Sequence, residues 1–434
     1  MSGFLDRICT PVRFATLRVG WIASLVLLLI AASAVPASGQ PSDDPAPAFN
    51  LRVYPLDVWN PRAGWGIGVG GVAHHLVRPG SQVLLTAAPA VHESVGTLSI
   101  ASASPSTAET YVVLDARAAT TDRQWFYGLG PRSREATQVA VDLTSWRVRL
   151  RVGQRLGTSP VTVQPHVALV EHDVNGARNE SPRALSSLDG ASIASIPGVF
   201  SPVVDPLPGA APALPSRQRG LRAGLDLIVD TRDRRHGTTR GVLLQASGSV
   251  YDEVRAADLR FVRLDLRAHG FVPLGGRHRL AVGLRTAITD NVDDEPVPFY
   301  LLPTLDGRTV PGWARGRFVG SDLLRLRALY RFPLFRFRDL LTVEGHVGAH
   351  AASVYNDLGD EFAFDVSFNE VLDPGSTVPL RPAASTGLRL GPLFRDETYV
   401  DVALGVSPEG VTGVRFTFVQ SLRSLRPAHH RFSD

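Results

Sequence analysis

Residues 323–332 read LLRLRALYRF, and in most of the stretch apolar residues alternate with Arg. Every even-numbered position is apolar, whereas Arg occupies 325, 327 and 331 on the odd-numbered side. A period of two places these two sets on opposite faces of a β-strand. The stretch therefore predicts a strand with one apolar and one charged face.

The same alternation recurs along most of the chain. It is clear in 219–229, 259–268 and 414–418. Read this way, the sequence predicts sixteen strands, near 50–58, 64–77, 80–90, 93–103, 108–121, 135–156, 160–174, 218–231, 240–253, 256–272, 277–290, 320–333, 338–352, 381–391, 398–407 and 411–421. An even count of strands with apolar and polar faces is typical of a transmembrane antiparallel β-barrel, whose outer face meets lipid. The predicted fold class is all-β, with one barrel over 50–422.

The connections between these segments alternate in length. Short turns are predicted at Arg78-Pro79, 157–159, 273–276 and 335–338, and long connections at 122–134, 175–217, 291–319 and 353–380. Barrels of this class combine short periplasmic turns with longer external loops. The alternation therefore orients the predicted barrel, with its long loops outside the cell.

The first 39 residues have the pattern of an export signal. Three Arg residues precede the apolar run 21–30, and small residues follow in 31–34 and 37–39. This pattern predicts a cleaved signal peptide over 1–39, whereas a membrane anchor would need about 20 apolar residues. A short periplasmic segment, 40–49, and a polar C-terminal tail, 423–434, would then flank the barrel.

Composition excludes several kinds of site. Cys9 is the only cysteine and lies in the predicted signal, so the mature chain would lack disulfides and thiol chemistry. All 45 basic residues are Arg, but no basic run with interleaved aromatic residues occurs, so we expect no nucleic acid as a partner. No nucleophile or phosphate-loop motif stands in a strand-to-helix context, so we expect no enzyme, no catalytic residue and no cofactor.

Metal binding is not expected either. His74 and His75 would point to opposite faces of one strand, and His429 and His430 lie in the predicted tail. The acidic residues of 353–380 lack the spacing of an EF-hand. We read both groups as solvated side chains.

Charged residues on the predicted inner face leave two interpretations open. Because a charge on the lipid face costs a few kcal/mol at the midplane, we expect these residues to face the lumen. They could line a pore for anions or form internal salt-bridge ladders. The residues concerned are Arg222, Arg260, Arg263, Arg267, Arg325 and Arg327, with Asp226 and Asp265.

Three motifs carry a resemblance to a known family. Asp230-Thr-Arg232-Asp233, with Gly241 at the start of the next strand, resembles a periplasmic turn of the outer-membrane assembly and translocation barrels, the bacterial surface antigen superfamily that includes BamA and TamA. Residues 126–130, FYGLG, are similar to an external-loop motif of its shorter members. The third motif resembles the sixth-loop signature, which in that family folds back into the lumen, and comprises Leu305, Gly307, Gly312, Trp313, Arg315, Arg317 and Phe318.

The chain also departs from the family pattern. Pro311 stands where the sixth loop usually carries an Arg, so we expect Arg315 or Arg317 to replace it, with Glu344 or Asp306 as the acidic partner. Only about ten residues separate the predicted signal from the first strand, so the resemblance implies a short member without the periplasmic POTRA domains.

The resemblance implies a function in outer-membrane assembly, or in translocation of protein or lipid. Its implied partners are outer-membrane lipid, the barrel-assembly machinery for insertion, and a separate periplasmic protein that would deliver clients. A passive porin-like channel for small solutes is the alternative, and an outer-membrane enzyme ranks below it. Single-channel conductance with and without the sixth loop would separate a gated conduit from a porin.

Overall fold

The computed structural model describes residues 48–54, 59–60, 64–65, 68–76, 80–103, 105, 108–133, 139–179, 217–233, 238–254, 259–293, 296–305, 310–314, 316–337, 341–368, 377–393 and 398–419. The predicted signal and the predicted tail lie outside these residues. Of the predicted segment 40–49, only residues 48–49 are described, and they are part of a strand. Among the described residues, none of the helices has the length and apolar composition that a membrane-spanning helix requires.

Sixteen strands form the main sheet. They are β1 (Ala48–Tyr54), β2 (Gly68–His74), β3 (Gln82–Pro89), β4 (Glu93–Ala101), β5 (Thr110–Phe126), β6 (Val139–Arg155), β7 (Val161–Asn179), β8 (Arg217–Asp230), β9 (Gly241–Glu253), β10 (Arg260–Pro273), β11 (Arg279–Asn291), β12 (Asp322–Phe337), β13 (Leu341–Tyr355), β14 (Val378–Leu393), β15 (Thr398–Ser407) and β16 (Gly410–Val419). Each pairs antiparallel with the next. The predicted all-β class and the count of sixteen are confirmed.

Side chains alternate between the two faces of the sheet. On β10, Leu264 and Leu266 are 52% and 41% exposed, whereas the intervening Asp265 is half-buried on the other face. On β8, Leu221, Leu225 and Leu227 are likewise exposed. A continuous belt of exposed aliphatic side chains is what a sheet facing lipid requires. The charged face is therefore the inner one.

The sheet curves round an interior. The connection between β11 and β12, residues 292–321, contacts β5 and the β15–β16 turn as well as the neighbouring β13. Since β5 and β15 are ten strands apart in the series, one loop reaches both only if the sheet curves round it. We call residues 292–321 the plug loop.

The outer side is more elaborate than the predicted segments suggest. β5 and β7 end at Phe126 and Asn179, whereas the predicted strands end at 121 and 174. A short hairpin, Trp59–Asn60 with Gly64–Trp65, lies between β1 and β2. One helical turn, α1 (Leu358–Glu361), and a short strand, Phe362–Val366, lie between β13 and β14. These additions extend the barrel wall into the outer loops.

One residue predicted to face the lumen points outward. Arg260 shares the strand face of the exposed Leu264 and is itself exposed, at the outer end of β10. The predicted inward orientation is therefore wrong for Arg260, because the alternation on β10 places 263, 265 and 267 inside. A position at the rim of the belt lets a guanidinium remain in water.

A substitution on the outer face tests the lipid-facing belt. We expect Leu264→Arg to lower the free energy of unfolding by about 2–4 kcal/mol, the cost of a cation near the bilayer midplane. Leu274→Arg is the control, since Leu274 is 54% exposed but lies in the turn after β10. There we expect about 0–1 kcal/mol. Urea unfolding of the two variants in lipid vesicles measures both, and equal losses would contradict a transmembrane belt.

Candidate functional site: the plug loop and its seat

The plug loop folds into a compact unit before it meets the wall. Thr304–Leu305 pairs antiparallel with Phe318–Val319, which brings the two ends of the loop together. The amide of Gly320 donates to Pro303 O at 3.2 Å next to this pair. A backbone hydrogen bond connects this unit to the wall, because the amide of Gly130 in the β5–β6 loop donates to Val319 O at 2.7 Å.

Arg317 anchors the plug loop at two separate places. Its Nε donates to Oε1 of Glu409 in the β15–β16 turn at 2.5 Å. Its Nη1 donates to the backbone oxygen of Ser133 at 3.0 Å and to the hydroxyl of Ser133 at 3.1 Å. Both charged side chains are largely buried, 3% exposed for Arg317 and 10% for Glu409. A buried, charge-assisted contact of this kind is strong and directional.

Two guanidinium groups lie close to the ring of Phe318. The Cζ atoms of Arg317 and Arg381 lie 4.2 Å and 4.4 Å from its ring centroid. Trp313 meets the ring edge-on at 5.3 Å, and Nη2 of Arg381 on β14 donates to Pro131 O at 2.7 Å. This arrangement fixes the aromatic pair of the loop against the inner wall.

An apolar cluster seats the loop on the neighbouring strands. Leu305, Val310, Trp313 and Phe318 of the plug loop are at most 1% exposed. They pack with wall residues Ala287, Leu323, Ala352, Val354 and Ala383. Small wall side chains leave room for the two rings of the loop, so the loop occupies space inside the barrel.

Two glycines allow the loop to touch β15. A Cβ at Gly405 would lie 2.2 Å from the amide nitrogen of Gly312, and a Cβ at Gly312 would lie 2.5 Å from the carbonyl carbon of Val406. Gly312 also has φ of +103°, which favours glycine. The hydroxyl of Ser407 donates to Gly312 O at 2.7 Å. The backbones are therefore in direct contact.

A second contact region holds the first half of the loop. Phe299 packs against Phe126 with tilted rings and ring centroids 4.4 Å apart, and the hydroxyl of Tyr300 donates to Gln218 at 2.5 Å. Burial raises the pKa of Tyr300 above its ordinary value, so its hydroxyl remains a donor. The backbone oxygen of Leu301 accepts from Nη1 of Arg263 at 3.1 Å. The loop thus contacts β5, β8 and β10 as well as β13 to β15.

The structure assigns the acidic partner differently from the sequence. Glu344 lies on β13 and accepts from Arg279 of β11, and it is not the partner of Arg317. Arg317 binds Glu409 instead, because the curvature of the barrel brings the β15–β16 turn over the loop. Gly307, Arg315 and Asp306 lie outside the described residues. Nothing in the sequence indicated Glu409 and Arg381, because only the fold brings these two residues next to the plug loop.

The periplasmic-turn motif forms a self-contained turn. Arg232 makes a two-point contact with Asp230, from Nε to Oδ1 at 2.8 Å and from Nη2 to Oδ2 at 2.7 Å. Asp233 accepts from the amides of Thr239 and Arg240 at 3.0 Å and 3.2 Å. These contacts connect the end of β8 to the start of β9.

Gly241 provides a test of this turn. Its φ is +111°, and a Cβ there would lie 2.5 Å from Thr231 O. We expect Gly241→Ala to lower the free energy of unfolding by about 1–3 kcal/mol through backbone strain, with overlap adding to the loss. Gly275→Ala is the control, since its φ is +101° but nothing lies within 4 Å of a Cβ. Urea unfolding compares the two variants. An equal loss of unfolding free energy in both would show that the turn tolerates the added methyl group.

Other candidate groups do not form a metal or hydrolase site in the described residues. No group of three His, Cys, Asp or Glu side chains could hold a metal there. Asp357 caps α1, and Glu361 contacts Arg132 at 3.6 Å. Nε2 of His350 and the hydroxyl of Ser385 lie 3.0 Å apart, but Nδ1 of His350 has no hydrogen-bond partner in this part of the chain. A catalytic triad would need a carboxylate there.

Ion pairs connect side chains of the inner wall. Asp115 contacts Arg151 at 2.5 Å and Arg149 at 3.5 Å, so one carboxylate serves two guanidiniums. Asp265 contacts Arg267 at 2.7 Å and Arg285 at 3.0 Å in the same way. Of the two interpretations left open by the sequence, the salt-bridge ladder is therefore present among the described residues.

Comparison with known proteins supports the fold. BamA from Haemophilus ducreyi lacking POTRA domains 1–3 is 14% identical, with a TM-score of 0.55 over 86% of this chain and 70% of that chain. CdiB from Escherichia coli is 10% identical, with a TM-score of 0.51 over 88% of this chain and 63% of that chain. No family model and no curated protein sequence matches. The shared feature is a BamA-like antiparallel barrel, as predicted.

Proposed function

We propose that this chain, which has the BamA-like barrel fold, works in the outer membrane in the assembly or translocation of protein or lipid, with the plug loop as its gate. The observation that carries the proposal is the double anchoring of Arg317, on Glu409 in the last hairpin and on Ser133 after β5. One side chain connects the loop inside the barrel to two distant parts of the wall. Release of the loop would therefore break contacts at both of these places in the wall.

The position of Glu409 matters for how such a barrel would open. It lies in the turn between β15 and β16, the last two strands of the series. Strands at the two ends of the series are the natural place for a barrel to part, since no connection in the chain joins them. A gate anchored to this hairpin could transmit its movement to that seam. Outer-membrane lipid, the assembly machinery and a separate periplasmic protein are the partners that we propose.

A porin-like channel is the second candidate, and the guanidinium groups of the inner wall favour it. Guanidinium groups facing an aqueous lumen would attract small anions. In that case the plug loop would be a constriction rather than a gate. The two functions differ in what the cell loses when the protein is absent.

Removal of the chain from its host separates the two functions. For an assembly or translocation role, we expect quantitative proteomics and lipid analysis to show loss of particular proteins or lipids from the outer membrane. Re-expressed wild-type chain should restore them, whereas the Arg317→Ala variant should restore them only in part. An unchanged outer membrane with slower uptake of small anions would refute the proposal and favour the porin.

A further inference from the structure

The rim of the barrel has a step between β11 and β12, on the side of the short turns. There β12 runs six residues past Arg331, the residue that pairs with the start of β11, and ends at Phe337. In the described chain, the first strands of the other six hairpins on this side end at most two residues past the corresponding point. The extension of β12 measures about 20 Å along the strand. It therefore projects beyond the rest of the rim.

The extension has one edge that no strand covers. On one side it pairs with β13 as far as Phe337. On the other side the ladder with β11 stops, and no further backbone hydrogen bond of 332–337 is formed within the described residues. Pro333 has no amide hydrogen, and a bulge at Leu334 follows it, so the edge available for pairing begins at Leu334. We call residues 334–337 the free edge.

Exposed apolar side chains line the free edge. Leu334 is 50% exposed, and Phe335 and Phe337 are each 59% exposed. The other hairpins turn back before this level, where the wall leaves the lipid, so these side chains project into the periplasm. A group of apolar side chains exposed to water marks an interaction site. An unpaired strand edge is in addition a template for a further strand.

The surroundings of the free edge are positively charged. Arg277, in the β10–β11 turn at the foot of the step, is exposed, and so is Arg336 on the free edge. The described segments 272–279 and 332–337 contain no Asp or Glu. A partner with acidic side chains therefore fits this surface better than a basic one.

We propose that the free edge is the docking site for an extended segment, rich in apolar and acidic residues, of a separate periplasmic protein. The segment adds to β12 as a further strand, so that backbone hydrogen bonds hold it and its apolar side chains cover Leu334 and Phe335. Its carboxylates pair with Arg277. This docking site rests on the proposed function, in which a separate periplasmic protein delivers clients to the barrel.

Two other occupants fit the free edge less well. A second copy of the chain would bring Arg277 and Arg336 against the same residues of its partner, and like charges that face each other destabilise a sheet. An anionic lipid headgroup would neutralise Arg277 but would leave the backbone groups of the free edge without a strand.

Photo-crosslinking in intact cells identifies the occupant. A photoreactive benzoyl-phenylalanine replaces Phe335 in the full chain, and mass spectrometry identifies the molecule and the segment that become attached to it. We expect a periplasmic protein, attached within a segment that contains apolar and acidic residues. The same group in place of Leu156, which is also 50% exposed but lies in the β6–β7 turn, should not capture that protein.

A labelled synthetic peptide of the crosslinked segment then measures affinity for the refolded full chain in lipid nanodiscs, by fluorescence anisotropy. Arg277→Glu should weaken binding by about tenfold or more, because it sets like charges against each other. Arg240→Glu is the control, since Arg240 is an exposed residue of the β8–β9 turn. Leu334→Ser should weaken binding too, whereas Leu156→Ser should not. Heat-dependent gel mobility shows that each variant is folded.

Methylated peptides test the backbone pairing by itself. Amide groups of a strand point alternately to its two edges, so methylation of every second amide nitrogen removes the donors of one edge only. Of the two alternately methylated peptides, one should bind about tenfold more weakly than the parent peptide, and the other should bind like the parent.

A crosslink to lipid alone, to a second copy of the chain or to nothing would overturn the docking site. Equal binding of the two methylated peptides, or binding that Arg277→Glu and Leu334→Ser leave intact, would overturn it as well. These results would leave the assembly role standing, because the loss of outer-membrane components on removal of the chain is measured independently.

Discussion

Replacement of Arg317 by alanine should detach the plug loop and lower the free energy of unfolding by about 3–5 kcal/mol, the usual cost of breaking a buried ion pair. The substitution removes the bonds to Glu409 and to Ser133 together. It also removes one of the two guanidiniums that flank Phe318. Glu409 would then keep a largely buried charge without this partner. Urea unfolding in lipid vesicles measures the loss.

Two further variants identify the cause of that loss. Arg260→Ala removes an exposed Arg from the outer rim and should cost less than about 0.5 kcal/mol. In a double-mutant cycle, Glu409→Gln should remove much of the penalty of Arg317→Ala, because the pair is then absent from both variants. Strictly additive losses would show that Arg317 and Glu409 do not act as a pair.

The contact between Gly405 and Gly312 should also be disrupted by one added carbon atom. We expect Gly405→Ala to push the plug loop away from β15, because the new Cβ would lie 2.2 Å from the amide nitrogen of Gly312. Overpacking of this kind costs about 1–3 kcal/mol. Limited proteolysis of the plug loop, together with urea unfolding, measures displacement and stability separately.

Another strand glycine gives the matched control. A Cβ at Gly96, on β4, would meet nothing within 4 Å. We expect Gly96→Ala to be neutral or to stabilise by up to about 1 kcal/mol, because alanine has less conformational freedom in the unfolded chain. If Gly405→Ala behaved like Gly96→Ala, the loop would not rest on β15 as described.

Local patterns were enough to predict the strands. The ten-residue alternation of 323–332 lies within β12, and all sixteen predicted segments have a counterpart in the sheet. Period-two alternation survives in a barrel because one face meets lipid along its whole length. Strand ends were less predictable, as in β7, because side chains beyond the bilayer no longer need to alternate.

Partners across the barrel were not predictable from local patterns. Glu344 or Asp306 was predicted as the acidic partner of the loop, but Glu409 lies 92 positions after Arg317 and meets it only because the sheet curves. Arg381 reaches Pro131 over 250 positions for the same reason. The neighbouring residues led to the prediction that Arg260 faces the lumen, although its own position on β10 places it on the outer face. Such contacts depend on closure and register rather than on spacing in the sequence.

The plug loop fills the lumen of the barrel. Single-channel conductance in a planar bilayer tests this claim, with the refolded full chain compared with a chain that lacks 303–319. The deletion removes Trp313, Arg317 and Phe318, which seat the loop on the wall. We expect a small, flickering conductance for the full chain and a large, steady one for the deletion. A large, steady conductance from both chains would contradict the claim.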